Sequence, residues 1–110
     1  MRLLAFAAFA TASLIVTAPA AKADSPFALT IKAHQFLPAE LAVPAGKKFI
    51  LLVTNADTTG EEFESSQLHR EKLVAAGSTI KVHLGPLKPG TYHFFGDFHQ
   101  DTAQGVLTAK

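Results

Sequence analysis

The chain contains no cysteine, and its single methionine is Met1. Without cysteine there are no disulfides, no thiol redox chemistry, no iron–sulfur clusters and no thiolate-ligated copper. Lysine and arginine are missing between Lys48 and Arg70, the interval that holds Glu61, Glu62 and Glu64. Internal repeats, low-complexity tracts, a phosphate-binding glycine loop and a serine–histidine–acid arrangement suited to nucleophilic catalysis are also lacking. The 110 residues allow one domain.

The first long apolar run lies at the start. Arg2 is followed by uncharged, apolar Leu3 to Val16, and Ala21-Lys22-Ala23 forms a small-x-small processing site before Asp24. Residues 1–23 therefore read as a secretory signal peptide, and the run falls short of the roughly 20 apolar residues that a membrane anchor needs. The expected product, residues 24–110, is exported to the periplasm, soluble and free of stable membrane insertion. The net charge of +1 includes Arg2 and Lys22, so the processed domain carries −1. That balance argues against nucleic-acid binding and is compatible with a cation site. An exported domain this small, with no disulfide, must rely on well-packed strands and on any ion it binds.

Alternation of apolar and polar residues predicts strands. Phe27, Leu29, Ile31 and Ala33 share one side of the first, Glu40 to Val43 forms a short second, and Lys47 to Asn55 is apolar enough to be covered on both faces. Asn55 to Gly60 reads as loop, with Phe63 isolated among acids beyond it. Ser65 or Ser66 is placed to cap one helical turn over Gln67 to Glu71, and Lys72 to Ala76 bridges to Gly77. Thr79 to Leu84 alternates again, and Gly85-Pro86 and Pro89-Gly90 make a rigid connection to an aromatic strand, Thr91 to Phe95. That strand breaks at Gly96, and Gly105 to Ala109 closes the chain. Tyr92, Phe94, Phe95 and Phe98 are expected in the core. The pattern is all-β: a Greek-key β-sandwich with one short helical turn.

In such a sandwich, loops at one end are the usual place for a site. Glu61, Glu62 and Glu64 on one connection could meet Asp97, His99 and Asp101 on another. An imidazole with two or three carboxylates suits Fe, Mn, Zn or Cu(II), and suits Cu(I) poorly. Three carboxylates within four positions repel one another unless a cation is near, although a solvated acidic face is the plainer reading. Either aspartate could accept the second ring N–H of a ligating His99. His34, at a strand end, can reach the same rim, whereas His69, His83 and His93 are expected to face solvent.

Taken together, Phe36-Leu37-Pro38-Ala39-Glu40, Val43-Pro44-Ala45-Gly46-Lys47-Lys48, Glu61-Glu62-Phe63-Glu64-Ser65, Gly85-Pro86-Leu87-Lys88-Pro89-Gly90-Thr91-Tyr92 and the final HFFGDFHQDTAQG segment resemble a cupredoxin-like domain. More narrowly, they resemble the small periplasmic cupredoxin-like proteins of bacterial ferrous-iron uptake systems. The resemblance maps the first copper-ligating histidine onto Glu61, the cysteine onto Gly96, the second histidine onto His99 and the methionine near Ala103. Three of four blue-copper ligands are thus replaced, which excludes a type 1 centre. What it implies instead is a copper or iron ion, with Mn or Zn as in vitro occupants, at a core pair of Glu61 and His99 completed by Glu62 or Glu64 and an aspartate. It also implies a part in Fe(II) oxidation or metal hand-over beside a periplasmic iron-binding protein and a membrane iron permease, as a monomer or weak homodimer. The alternative is a metal-free structural or interaction module. Whether the chain is an enzyme is left open by these residues.

Overall fold

The computed structural model describes residues 26–110, together with Ala10, Ala12 and Ser13; the rest of the expected signal peptide lies outside the described residues. Two sheets face each other. The first has strand order β2-β1-β4-β7, from β1 (Phe27–Lys32), β2 (Gln35–Leu37), β4 (Phe49–Asn55) and β7 (Thr79–Leu84). The second runs β3-β9-β8-β5-β6, from β3 (Glu40–Val43), β9 (Gln104–Ala109), β8 (Gly90–Gly96), β5 (Glu61–Ser65) and β6 (Arg70–Val74). The pairs β1–β4 and β3–β9 are parallel and the others antiparallel. This is the expected all-β sandwich. Among the described residues no helix is long and apolar enough to cross a membrane.

The core forms where the inward positions of both sheets meet. Leu29 and Ile31 of β1, Leu51 and Val53 of β4 and Val82 of β7 are buried against Phe63, Val74, Phe94 and Leu107 of the other sheet. Phe36, Phe63 and Phe94 pack as an aromatic trio, with ring centroids 5.0–6.2 Å apart. The Tyr92 hydroxyl donates to the carbonyl of Lys88 at 2.7 Å, a corner bond typical of sandwiches, which fixes the entry to β8.

Four local expectations are corrected. Glu61 to Ser65 is a strand, not loop, because Glu61, Phe63 and Ser65 all point inward while Glu62 and Glu64 point out. The turn at Ser66 to His69 does not grow into a helix. Ser65 Oγ does accept the Leu68 N–H at 3.1 Å, as a cap would, but Arg70 to Val74 then pairs with β5 along its length. The short helical turn is instead a 3-10 turn at Asp97–His99. Ala33 is exposed in the β1–β2 turn, and of the aromatics expected in the core Phe98 is half exposed and Phe95, next to inward Phe94, lies on the outer face beside Glu64.

Candidate metal centre

Three connections gather at one end of the sandwich: the β1–β2 turn, the β4–β5 loop and the 3-10 turn after β8. The β1–β2 turn has only two residues between its strands, Ala33 (φ 52°) and His34 (φ 56°). Left-handed backbone at both central positions is the hairpin geometry that suits strand twist, although glycine or asparagine adopts it more easily. Asp57 secures it. Its carboxylate accepts the N–H groups of Ala33 (2.8 Å) and His34 (3.0 Å), and these bonds, that of His34 foremost, hold its pKa below the usual carboxylate value. Asp57 is set in turn by Asn55, fully buried, whose Oδ1 accepts the Asp57 N–H (3.0 Å) and whose Nδ2 donates to Thr59 and Val74 carbonyls. The sequence signal for this brace is Asn-x-Asp, an Asx turn; neither residue was among the expected site residues.

His34, so placed, lies flat on His99, with centroids 3.6 Å apart and planes 12° from parallel. His99 Nδ1 meets Glu61 Oε2 at 2.5 Å, and Glu61 Oε1 accepts the backbone N–H groups of Glu62 (3.0 Å) and Phe98 (2.9 Å). Glu61 is 1% exposed, and this set of partners satisfies its buried oxygens. The structure therefore brings Glu61, His99 and His34 together.

Glu62, Glu64 and Asp97 form a second group. Successive side chains of a strand alternate in direction, so Glu62 and Glu64 lie on the outer face of the sheet, away from Glu61. Asp97, leaving β8 alongside, brings a carboxylate oxygen so that ligand atoms of all three residues lie within 4.8 Å of one another. All three are half-buried. Glu71, paired with Glu64 across the β5–β6 ladder, adds a fourth acid. The Glu62 carboxyl is pushed up to about 7, first by a hydrogen bond with Glu71, then by burial and the charges of Glu71, Asp97 and Glu64. Burial foremost, then Asp97 and Glu71, also raise Glu64. The bases of β6 give no relief: Lys72 pairs with Phe63 and Arg70 with Ser65, which puts them on the opposite face. Among the described residues the one acid–base contact within 4.0 Å is that of Glu61 with His99. Asp101 is exposed and belongs to neither group.

The two groups differ in what they can hold. The positions that the resemblance maps onto blue-copper ligands do converge: a Cβ on Gly96 would lie 2.6 Å from Glu61 Cδ and 2.7 Å from Ala103 Cβ. The Glu61 carboxylate thus fills the space beside Gly96, and His99 is the single ligand retained, which does not fit type 1 copper. For an ion to enter there, the Glu61–His99 bond must open. His34 is also poorly aimed to help, because ring nitrogens of stacked imidazoles direct their lone pairs along parallel planes. The outer group could coordinate a metal without rearranging the core. It offers hard oxygen donors and relief of carboxylate repulsion, which suits Fe, Mn or Cu(II).

Comparison with known proteins agrees on the architecture. The family model described as cupredoxin-like domain matches residues 3–109. An uncharacterized protein of Rickettsia prowazekii (strain Madrid E) is 56% identical over 79 residues, which are 72% of this chain and 63% of that protein. The chain therefore spans less than two thirds of that relative's length. Auracyanin A, a blue copper protein of Chloroflexus aurantiacus, superposes with a TM-score of 0.68 at 15% identity, over 79% of this chain and 99% of its own. The purple cupredoxin of Nitrosopumilus maritimus gives 0.60 at 17%, over 76% and 99%. At such identities the likeness speaks for the fold alone. The chain belongs to the cupredoxin-like domain family.

Proposed function

We propose that this is an exported, periplasmic metal-binding protein that takes a copper or iron ion on the outer face of β5, at Glu62, Glu64 and Asp97, as an accessory of iron uptake. The observation that carries this reading is the convergence of three half-buried carboxylates, with Glu71 beside them and, among the described residues, no lysine or arginine within 4.0 Å of any of them. The iron-uptake role, and with it a periplasmic iron-binding protein and a membrane permease as partners, rests on the resemblance of the sequence segments. A bound copper or iron ion would supply one-electron redox chemistry, or would itself be the cargo. In this reading Glu61 and His99 anchor the 3-10 turn: the hydrogen bonds from His99 and the Phe98 N–H to Glu61 fix the segment from which Asp97 projects.

Equilibrium dialysis against Cu(II), Fe and Mn, followed by elemental analysis, tests this. The expected result is one ion per chain at micromolar concentration, lost in the Glu64→Gln, Asp97→Asn double variant while the fold is retained. Failure of the purified protein to take up any of the three would overturn it. A metal-free interaction module is then the remaining reading, favoured by the closed Glu61–His99 bond. For that module, thermal melting would be unmoved by added metal, because only a ligand of the folded state raises the midpoint.

A further inference from the structure

A cavity of about 510 Å³ opens where the start of β4 and the end of β7 meet Arg70 of β6. Lys48, Arg70 and His83 line it, with no carboxylate among its lining residues, and the apolar residues Phe49, Ile50 and Leu84 complete the lining. The pocket is therefore cationic and half apolar, on a molecule whose other candidate site is acidic.

Arg70 is fixed before any ligand arrives. Its Nη1 donates to the carbonyls of Leu68 (3.2 Å) and His69 (3.0 Å), and its Nη2 to that of His83 (2.9 Å). All three acceptors are neutral, so among the described residues the guanidinium charge has no carboxylate partner. Of its five donors, Nε–H makes none of these bonds. A guanidinium already immobilised loses little further entropy on meeting a carboxylate, and its planar fork matches one. The rim is equally settled. A Cβ on Gly85 would lie 2.4 Å from the Lys47 carbonyl oxygen, so the end of β7 presses on the backbone that presents Lys48.

We propose that this cavity binds a small monocarboxylate with an apolar body, its charged end on Arg70 and Lys48 and its body against Phe49, Ile50 and Leu84. A compact inorganic oxyanion would leave those walls unused, and a neutral apolar molecule would leave the fixed charge unanswered. The proposal is independent of metal binding on the outer face of β5.

Nuclear magnetic resonance titration of the isotopically labelled protein with benzoate, benzyl alcohol and inorganic phosphate, at constant ionic strength, tests it. Benzoate should give saturable shifts at the amides of Lys48, Ile50, Arg70, His83 and Gly85, with the other two probes at least tenfold weaker. Arg70→Lys keeps the charge but loses the fixed fork, and should weaken benzoate at least fivefold. Lys48→Ala, which touches none of the Arg70 bonds, should also weaken it. The proposal is overturned if benzoate does not saturate, if benzyl alcohol or phosphate binds as well, or if both variants bind benzoate like the parent protein.

Discussion

Gly96→Ala is the most informative single substitution at the site end. Gly96 has φ −93° and ψ 112°, open to any residue, so the backbone adds no cost. The added methyl would stand 2.6 Å from Glu61 Cδ and 2.7 Å from Ala103 Cβ, where ordinary contact begins near 3.4 Å. Glu61 cannot retreat freely, because its two oxygens are held by His99 and by the N–H groups of Glu62 and Phe98. Overpacking of this kind costs about 1–3 kcal/mol, and a weakened buried hydrogen bond adds about 1. The expected loss is roughly 2–4 kcal/mol, a fall in Tm of at least about 8 °C for a domain of this size. In a Glu61→Ala background the carboxylate contacts vanish and only Ala103 remains, so the same substitution should cost at least about 1 kcal/mol less. Urea denaturation of the four proteins, with circular dichroism melts, measures this cycle. A Tm change under about 2 °C, or an equal cost in both backgrounds, would refute the claim that the Glu61 carboxylate has taken the space beside Gly96.

Three further outcomes are expected. Ala33→Gly relieves a left-handed alanine and should stabilise the domain by about 0.5–1 kcal/mol in thermal melts; a loss of stability would contradict the turn geometry. Asp57 titrates below its usual value in the folded state, so its contribution is present above the ordinary aspartate range and is lost as pH falls through the depressed value. Acid denaturation curves of Asp57→Asn should accordingly show a shallower low-pH limb. Glu62 has the opposite sign: its folded pKa of about 7 lies above the unfolded 4.5, so its carboxyl penalises the metal-free fold increasingly as pH rises between those values. Glu62→Gln should flatten that part of the stability profile, and proton competition should weaken divalent-cation binding to the parent protein below about pH 7.

The sandwich was legible because β1, β4, β7 and β8 carry period-2 alternation or a continuous apolar run. β5 was not, since two of its three inward residues are polar. Glu61 is satisfied by His99 and backbone N–H groups, and Ser65 by donating to the His93 carbonyl at 2.6 Å, so burial there follows hydrogen bonding that hydropathy does not register. β6, an edge strand with three exposed central residues, gave no apolar pattern at all. The same alternation explains the site. Glu61, Glu62 and Glu64 look like one acidic patch in the sequence, yet once they form a strand the first must part from the other two. The meeting of Glu61 with His99 was legible from the family pattern, whereas the brace from Asn55 through Asp57 to His34 depends on backbone N–H groups of a distant turn, which side-chain chemistry does not reveal.

The most direct test of where the ion sits is anomalous scattering from crystals soaked separately with Mn(II) and Cu(II). The expected result is one peak on the outer face of β5, about 2.0–2.6 Å from oxygens of Glu62, Glu64 and Asp97. A peak between Glu61 and His99 with the outer face empty, or no peak with either ion, would contradict it.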